Sequence, residues 1–116
     1  MNVVVLRGAV SRPPEIRELR SGQEVLSYDV TVPGREGGPA ESVPVVWFDP
    51  PAGAGDLAPA SEVVVLGRVR RRFFRANGVT QSRTEVVADR VIPARRAKVA
   101  ARAARQTLAA AEEAFI

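Results

Sequence analysis

Val63-Val64-Val65-Leu66-Gly67-Arg68-Val69-Arg70-Arg71-Arg72-Phe73-Phe74-Arg75-Ala76-Asn77-Gly78 joins an unbroken apolar run to an arginine and aromatic patch that ends in a turn signal. Asn-Gly is the strongest short hairpin signal, because both central positions of the turn need positive φ. Glu62–Ala76 and Val79–Ile92 therefore read as two long antiparallel strands. A two-residue loop sets their register: Ala76 faces Val79, Arg70 faces Glu85 and Arg72 faces Arg83. Arg68, Arg70, Arg72 and Phe74 share one parity and so one face. Like charges directly opposite repel. An anion between Arg72 and Arg83 would relieve that repulsion, whereas Arg70 opposite Glu85 reads as an ordinary surface pair of small worth.

Five arginines within Arg68–Arg75, with no acid among them, suit a single-stranded nucleic acid. Cations follow the phosphates while aromatic rings stack on bases, at about 1–3 kcal/mol per base whatever its identity. The competing reading is a solvated edge hairpin whose charges prevent strand-to-strand aggregation. Phe48, Phe73 and Trp47 are read first as packing residues, and alternation sends Trp47 and Phe48 to opposite faces, making one of the two core.

Outward from the hairpin, the chain reads as short strands separated by loops. Met1–Val10 is a β-branched run interrupted at Gly8, where a strand bends or bulges. Glu15–Leu19 is short and alternating, Ser21-Gly22 is a turn, and Val25–Val32 resumes as a strand. Pro33–Pro39 cannot hold a ladder and is expected to be a mobile loop. Val43–Phe48 forms another strand, with Pro44 marking an edge or bulge. Asp49–Ser61, rich in Pro, Gly and Ala, has room for at most one short helical turn. Five short strands with long loops and no early helix point to an all-β domain, a small barrel or sandwich.

Beyond Pro93 the composition shifts to Ala, Arg, Gln and Glu, and Ala94–Ala114 is expected to be helical with Pro93 in its first turn. Ala97, Ala101, Ala104, Leu108, Ala111 and Phe115 fall on one narrow face. A stripe of alanine buries little area, so this helix needs a partner or its own barrel to pack on.

At 116 residues the chain holds one domain, read as 1–93 with a helix or tail at 94–116. It contains no Cys and no His, which excludes disulfides, thiolate metal sites, cysteine and serine–histidine catalysis and imidazole acid–base chemistry. No matched carboxylate pair or Gly-rich phosphate loop is evident, so no catalytic residue, metal, cofactor or small-molecule substrate is expected. The net charge of +4 is uneven: residues 1–94 carry twelve Arg against eleven acids, and residues 95–116 carry five cations against two. The body is nearly neutral, so any binding face in it arises by clustering. With no apolar run near the roughly 20 residues of a membrane span and no signal peptide, a cytoplasmic protein is expected, associated with the nucleoid.

The order of these segments resembles the bacterial single-stranded DNA-binding protein family, an OB-fold. Gly8, Pro14-Glu15-Ile16-Arg17 and Ser21-Gly22 look like its first strand, Pro-Glu turn and second strand, and Val45–Phe48 like its third. Ser61–Arg72 followed by Phe74, and then Arg83–Ala88, match its last hairpin. The resemblance implies a five-stranded OB-fold barrel with an extended final hairpin and an appended C-terminal helix. It places Phe48 and Phe74 at base-stacking positions and Arg70 and Arg72 at phosphate-contacting ones, with Phe48 exposed and Trp47 in the core. Ser42 stands where the family usually has an aromatic, and the expectation is a short, divergent member without the long acidic-tipped tail.

The resulting site is Arg68, Arg70, Arg72, Arg75 and Arg83 along phosphates, with Phe48 and Phe74 under bases. The expected partner is single-stranded DNA without sequence preference, with RNA as a second acceptable strand and a homo-oligomer, dimer or tetramer, as the assembly. The alternative is an OB-fold scaffold that self-associates through the alanine-striped helix.

Overall fold

The computed structural model describes residues 1–116. Its elements are β1 (Val4–Val10), β2 (Glu15–Glu18), β3 (Glu24–Val32), β4 (Glu41–Phe48), β5 (Glu62–Ala76), β6 (Val79–Pro93) and α1 (Ala97–Glu113). The strands run β1-β5-β6-β4-β3-β2, and β1 turns back onto β3 at Ala9 and Val10 to close an uneven ring. This is the OB-fold barrel with its appended helix; the short alternating segment read at Glu15–Leu19 stands as a strand of its own, β2, so the strands number six and not five. The second closure is short too: β4 lies parallel to β6 only at Val45–Val86 and Val46–Val87. Pro44 therefore sits just outside the stretch where β4 has a neighbour on that side, as a residue with no ladder donor prefers.

The interior is built by alternation. Val63 and Val65 of β5 enter the barrel with Val10, Leu26, Tyr28, Val30, Val45, Val86 and Ala88. Val64 and Leu66 point the other way and meet Ile92, Ala100 and Ala103 under α1. The apolar run that opens β5 is continuous because both of its faces are covered. At Gly67 a side chain has no room: a Cβ there would lie 2.0 Å from the Val87 carbonyl oxygen. The β5–β6 register shifts at this point, between Leu66 and Gly67. Gly8 plays the same part in β1, since a Cβ would stand 2.4 Å from the Thr31 carbonyl oxygen where β1 crosses to β3.

The helix differs from expectation at its start and in its orientation. Pro93 ends β6 opposite Val63, and the Ala94 N–H donates to the Glu62 carbonyl, so the ladder extends through the residue assigned to the first helical turn. The helix begins at Ala97 after a turn in which the Arg96 N–H bonds to the Pro93 carbonyl. It buries Ala100 and Ala103, with Val99 and Ala104 partly covered, whereas Ala97, Ala101, Leu108 and Phe115 of the predicted stripe are exposed. Alanine occurs on every side of this helix, so periodicity cannot choose the face. The short connection from β6 and the side chains of Val64, Leu66 and Ile92 choose it. Pro33–Pro39 contains a short 3-10 turn at Arg35–Gly37, and Asp49–Ser61 holds turns and no helix. Ala54 and Leu57 of that segment pack on the barrel core.

Candidate nucleic-acid interface

Past Val69, which faces the last β6 residue paired with β4, Val86, β5 and β6 leave the barrel as a two-stranded ribbon. Its turn has the predicted geometry, with φ of 53° at Asn77 and 76° at Gly78. The register is also as read: Ala76 opposite Val79, Arg72 opposite Arg83, Arg70 opposite Glu85. The Asn2 side chain steadies the ribbon's root by pairing with both backbone groups of Val69, accepting from its N–H at 2.9 Å and donating to its carbonyl at 2.6 Å.

The electrostatics of the patch differ from the sequence expectation. Glu85 is no surface partner: it is 1 % exposed, and the side chains around it close over its carboxylate. Arg70 donates from Nη2 to Oε2 at 2.9 Å, Arg72 donates from Nε to Oε1 at 3.0 Å, and Arg83 Nε lies 3.6 Å from the same Oε1. The anion expected to relieve the Arg72–Arg83 repulsion is therefore built in. Pairwise register put Glu85 opposite one arginine, but the twist and length of arginine bring three to it. Burial pushes the Glu85 carboxyl up, yet the hydrogen bonds and charges of Arg72 and Arg70 outweigh it and hold the group below the usual carboxylate value. Three guanidiniums against one carboxylate leave two positive charges on the face.

The aromatic residues lie under these cations. The Arg70 guanidinium stands 5.1 Å from the centroid of the Phe48 ring, and that of Arg72 stands 5.1 Å from the Phe74 ring. Both distances fall within cation–π range. Phe48 rests on a small cluster of Val25, Val46 and Val87, while Trp47 packs against the barrel core. Both remain half-buried, so alternation separates their faces without sealing either one. A shallow depression of about 700 Å³ beside Phe48 is bounded by Trp47, Arg68 and Arg90.

The structure thus brings together Phe48, Arg70, Arg72, Phe74 and Arg83. Arg68 lies nearer the barrel and pairs loosely with Asp89, at 3.9 Å. Arg75 has the opposite parity, and its Nη2 donates to the Gly78 carbonyl at 2.7 Å across the turn. Phe73, read as a packing residue, is 65 % exposed, because the ribbon has left the barrel behind and only the ribbon's own Arg71 lies over its ring. Sequence reasoning also missed Glu85 as the organiser of the arginines. Its signal was its place opposite Arg70 and two residues from Arg83 on the same strand.

Residues 1–93 match the model of the single-strand binding protein family. The chain belongs to this family. Single-stranded DNA binding is the family's function, and the OB-fold barrel with its projecting hairpin is the frame on which this member carries its cations and aromatics. No curated protein matches the chain closely enough to count as a relative. No helix is long and apolar enough to cross a membrane.

Proposed function

We propose that this family member coats single-stranded DNA without sequence preference through the Phe48–Arg70–Arg72–Phe74–Arg83 face. It would protect strands exposed in replication, recombination or repair, and act by binding alone. One observation carries the reading: a buried carboxylate fixes guanidiniums over two aromatic rings on a face with surplus positive charge. Bases stack on aromatic rings and on guanidinium planes alike. Neither surface reads base edges, so neither selects sequence. Arg68 extends the cationic track toward the barrel. The alternative of a self-associating scaffold rested on the stripe Ala97, Ala101, Ala104, Leu108, Ala111 and Phe115; the barrel takes up Ala100 and Ala103 and only part of Ala104, and leaves Ala97, Ala101, Leu108 and Phe115 exposed.

The test is fluorescence anisotropy with labelled oligo-dT, the matching RNA and duplex DNA at two salt concentrations, with Phe74→Ala alongside. Tight, salt-sensitive binding selective for the single strand, weakened in the variant, supports the proposal. Duplex binding indifferent to Phe74, or no binding, rejects it; a preference for RNA reassigns the strand.

A further inference from the structure

We infer that the opposite face of the hairpin, formed by Arg71, Phe73 and Arg75, is a second stacking site, for an unpaired nucleotide of the same strand after it rounds the ribbon. The inference rests on the single-strand reading above and extends it to a surface that reading leaves empty.

The two faces repeat one design. On the first, the Arg72 guanidinium lies 5.1 Å from the Phe74 centroid; on the second, Arg71 lies 5.1 Å from the Phe73 centroid. Each is an i, i+2 pair on one side of a strand, the spacing at which neighbouring side chains share a face. Ser82, opposite Phe73 on β6, accepts a hydrogen bond from Arg71 Nη2 at 3.1 Å and holds the guanidinium in place. The difference lies in what covers each ring. Phe74 is half-buried, whereas Phe73 is 65 % exposed, a large apolar surface for a residue projecting from the fold on a thin ribbon.

Charge decides the occupant. Along this face of the ribbon β5 contributes Arg71 and Arg75, and β6 contributes Thr80, Ser82 and Thr84, none of them acidic. A ring between two cations and a row of hydroxyls offers stacking, phosphate neutralisation and hydrogen bonds together, the set an unpaired nucleotide uses. A second copy of the same face would bring Arg71 and Arg75 against their own equivalents, which like-charge repulsion opposes. Continuity favours one strand serving both faces, because the ribbon ends in the two-residue turn at Asn77-Gly78 and a chain following the first face reaches the second by rounding that tip.

The two faces separate experimentally by length. One OB fold occupies about 4–16 nucleotides, and the first face is filled before the strand reaches the second. Affinity for oligo-dT is measured across that range for the wild type, Phe73→Ala and Phe74→Ala, with sizing chromatography and thermal melting of each. The expected result is that Phe74→Ala weakens binding at every length. Phe73→Ala should match the wild type on the shortest oligonucleotides and lose about five-fold to about a hundred-fold on the longest. An iodouracil-substituted long oligonucleotide should also photocross-link to Phe73 in the Phe74→Ala variant. If Phe73→Ala follows the wild type at all lengths while Phe74→Ala does not, the second site is rejected and the first stands. If the wild type binds no single strand, both readings fall. A change in the mass of Phe73→Ala with unchanged affinity would assign the face to a second copy and overturn the proposal.

Discussion

Strand β5 is two different strands joined at Gly67. Val63–Leu66 is covered on both sides, by the barrel on one and α1 on the other, and contributes stability. Arg68–Ala76 is partly covered on the side of Arg70, Arg72 and Phe74 and open on the other, and contributes a surface. The burial pattern changes at the register shift, from an unbroken buried run to an alternation of half-buried and exposed residues. Hydrophobic burial fixes the first half in place, so the second half can carry like charges that a core would not tolerate. The rigid half is what lets the projecting half hold its arginines in register.

The largest effect is expected on the buried side. Leu66→Ala removes a side chain enclosed between β6 and α1 and is expected to cost about 2–5 kcal/mol of stability. Chemical denaturation measures that loss, and single-strand affinity should be unchanged wherever the variant is folded. A loss of affinity in the folded variant would show that the two halves are not separable.

From the projecting side, Phe74→Ala should reverse the pattern, weakening oligo-dT binding by about 1–3 kcal/mol in an anisotropy titration. Its stability should fall by no more than about 1 kcal/mol, the worth of a half-exposed ring and its cation–π contact with Arg72. A large fall in melting temperature would mean that the hairpin is a structural element after all.

Glu85 belongs to both halves, and its substitution sharpens the boundary. Glu85→Gln removes the charge that Arg70, Arg72 and Arg83 share, and about 1–3 kcal/mol of stability should go with it at neutral pH. Because the folded state holds this carboxyl below its ordinary value, its contribution is complete above the unfolded value of about 4.3. It declines as pH falls from there through the lowered folded value. Denaturant midpoints followed down in pH should therefore fall in the wild type, and part of that fall should be missing in Glu85→Gln. Parallel curves for the two proteins would remove Glu85 from the ion-pair account.

The smallest effect is electrostatic. Arg72→Ala should flatten the dependence of log affinity on log salt by about 0.7, one single-strand phosphate contact. An unchanged slope would leave Arg72 as Glu85's partner only.

Much of this was legible in the chain. Asn77-Gly78 fixed the hairpin and its register, because only a few residue types accept two positive φ values in succession. The apolar run before Gly67 and the arginines after it marked the change from core to surface. Burial was not legible in the same way. Register predicted that Glu85 and Arg70 face each other, but not that Arg72 and Arg83 would reach the same carboxylate and seal it. The face chosen by α1 was equally hidden, since alanine lies all round the helix and the side that packs depends on the β6 connection.

Local sequence determined the strands, the turn, the parity that sorts the arginines and aromatics, and the family resemblance, because these follow from backbone sterics and side-chain alternation. Tertiary structure alone decided which groups are desolvated: Glu85 beneath its three arginines, Ala100 and Ala103 on the barrel, and Phe73 left in water. The physical reason is that desolvation depends on every neighbour in space, and those neighbours come from strands far apart in the chain.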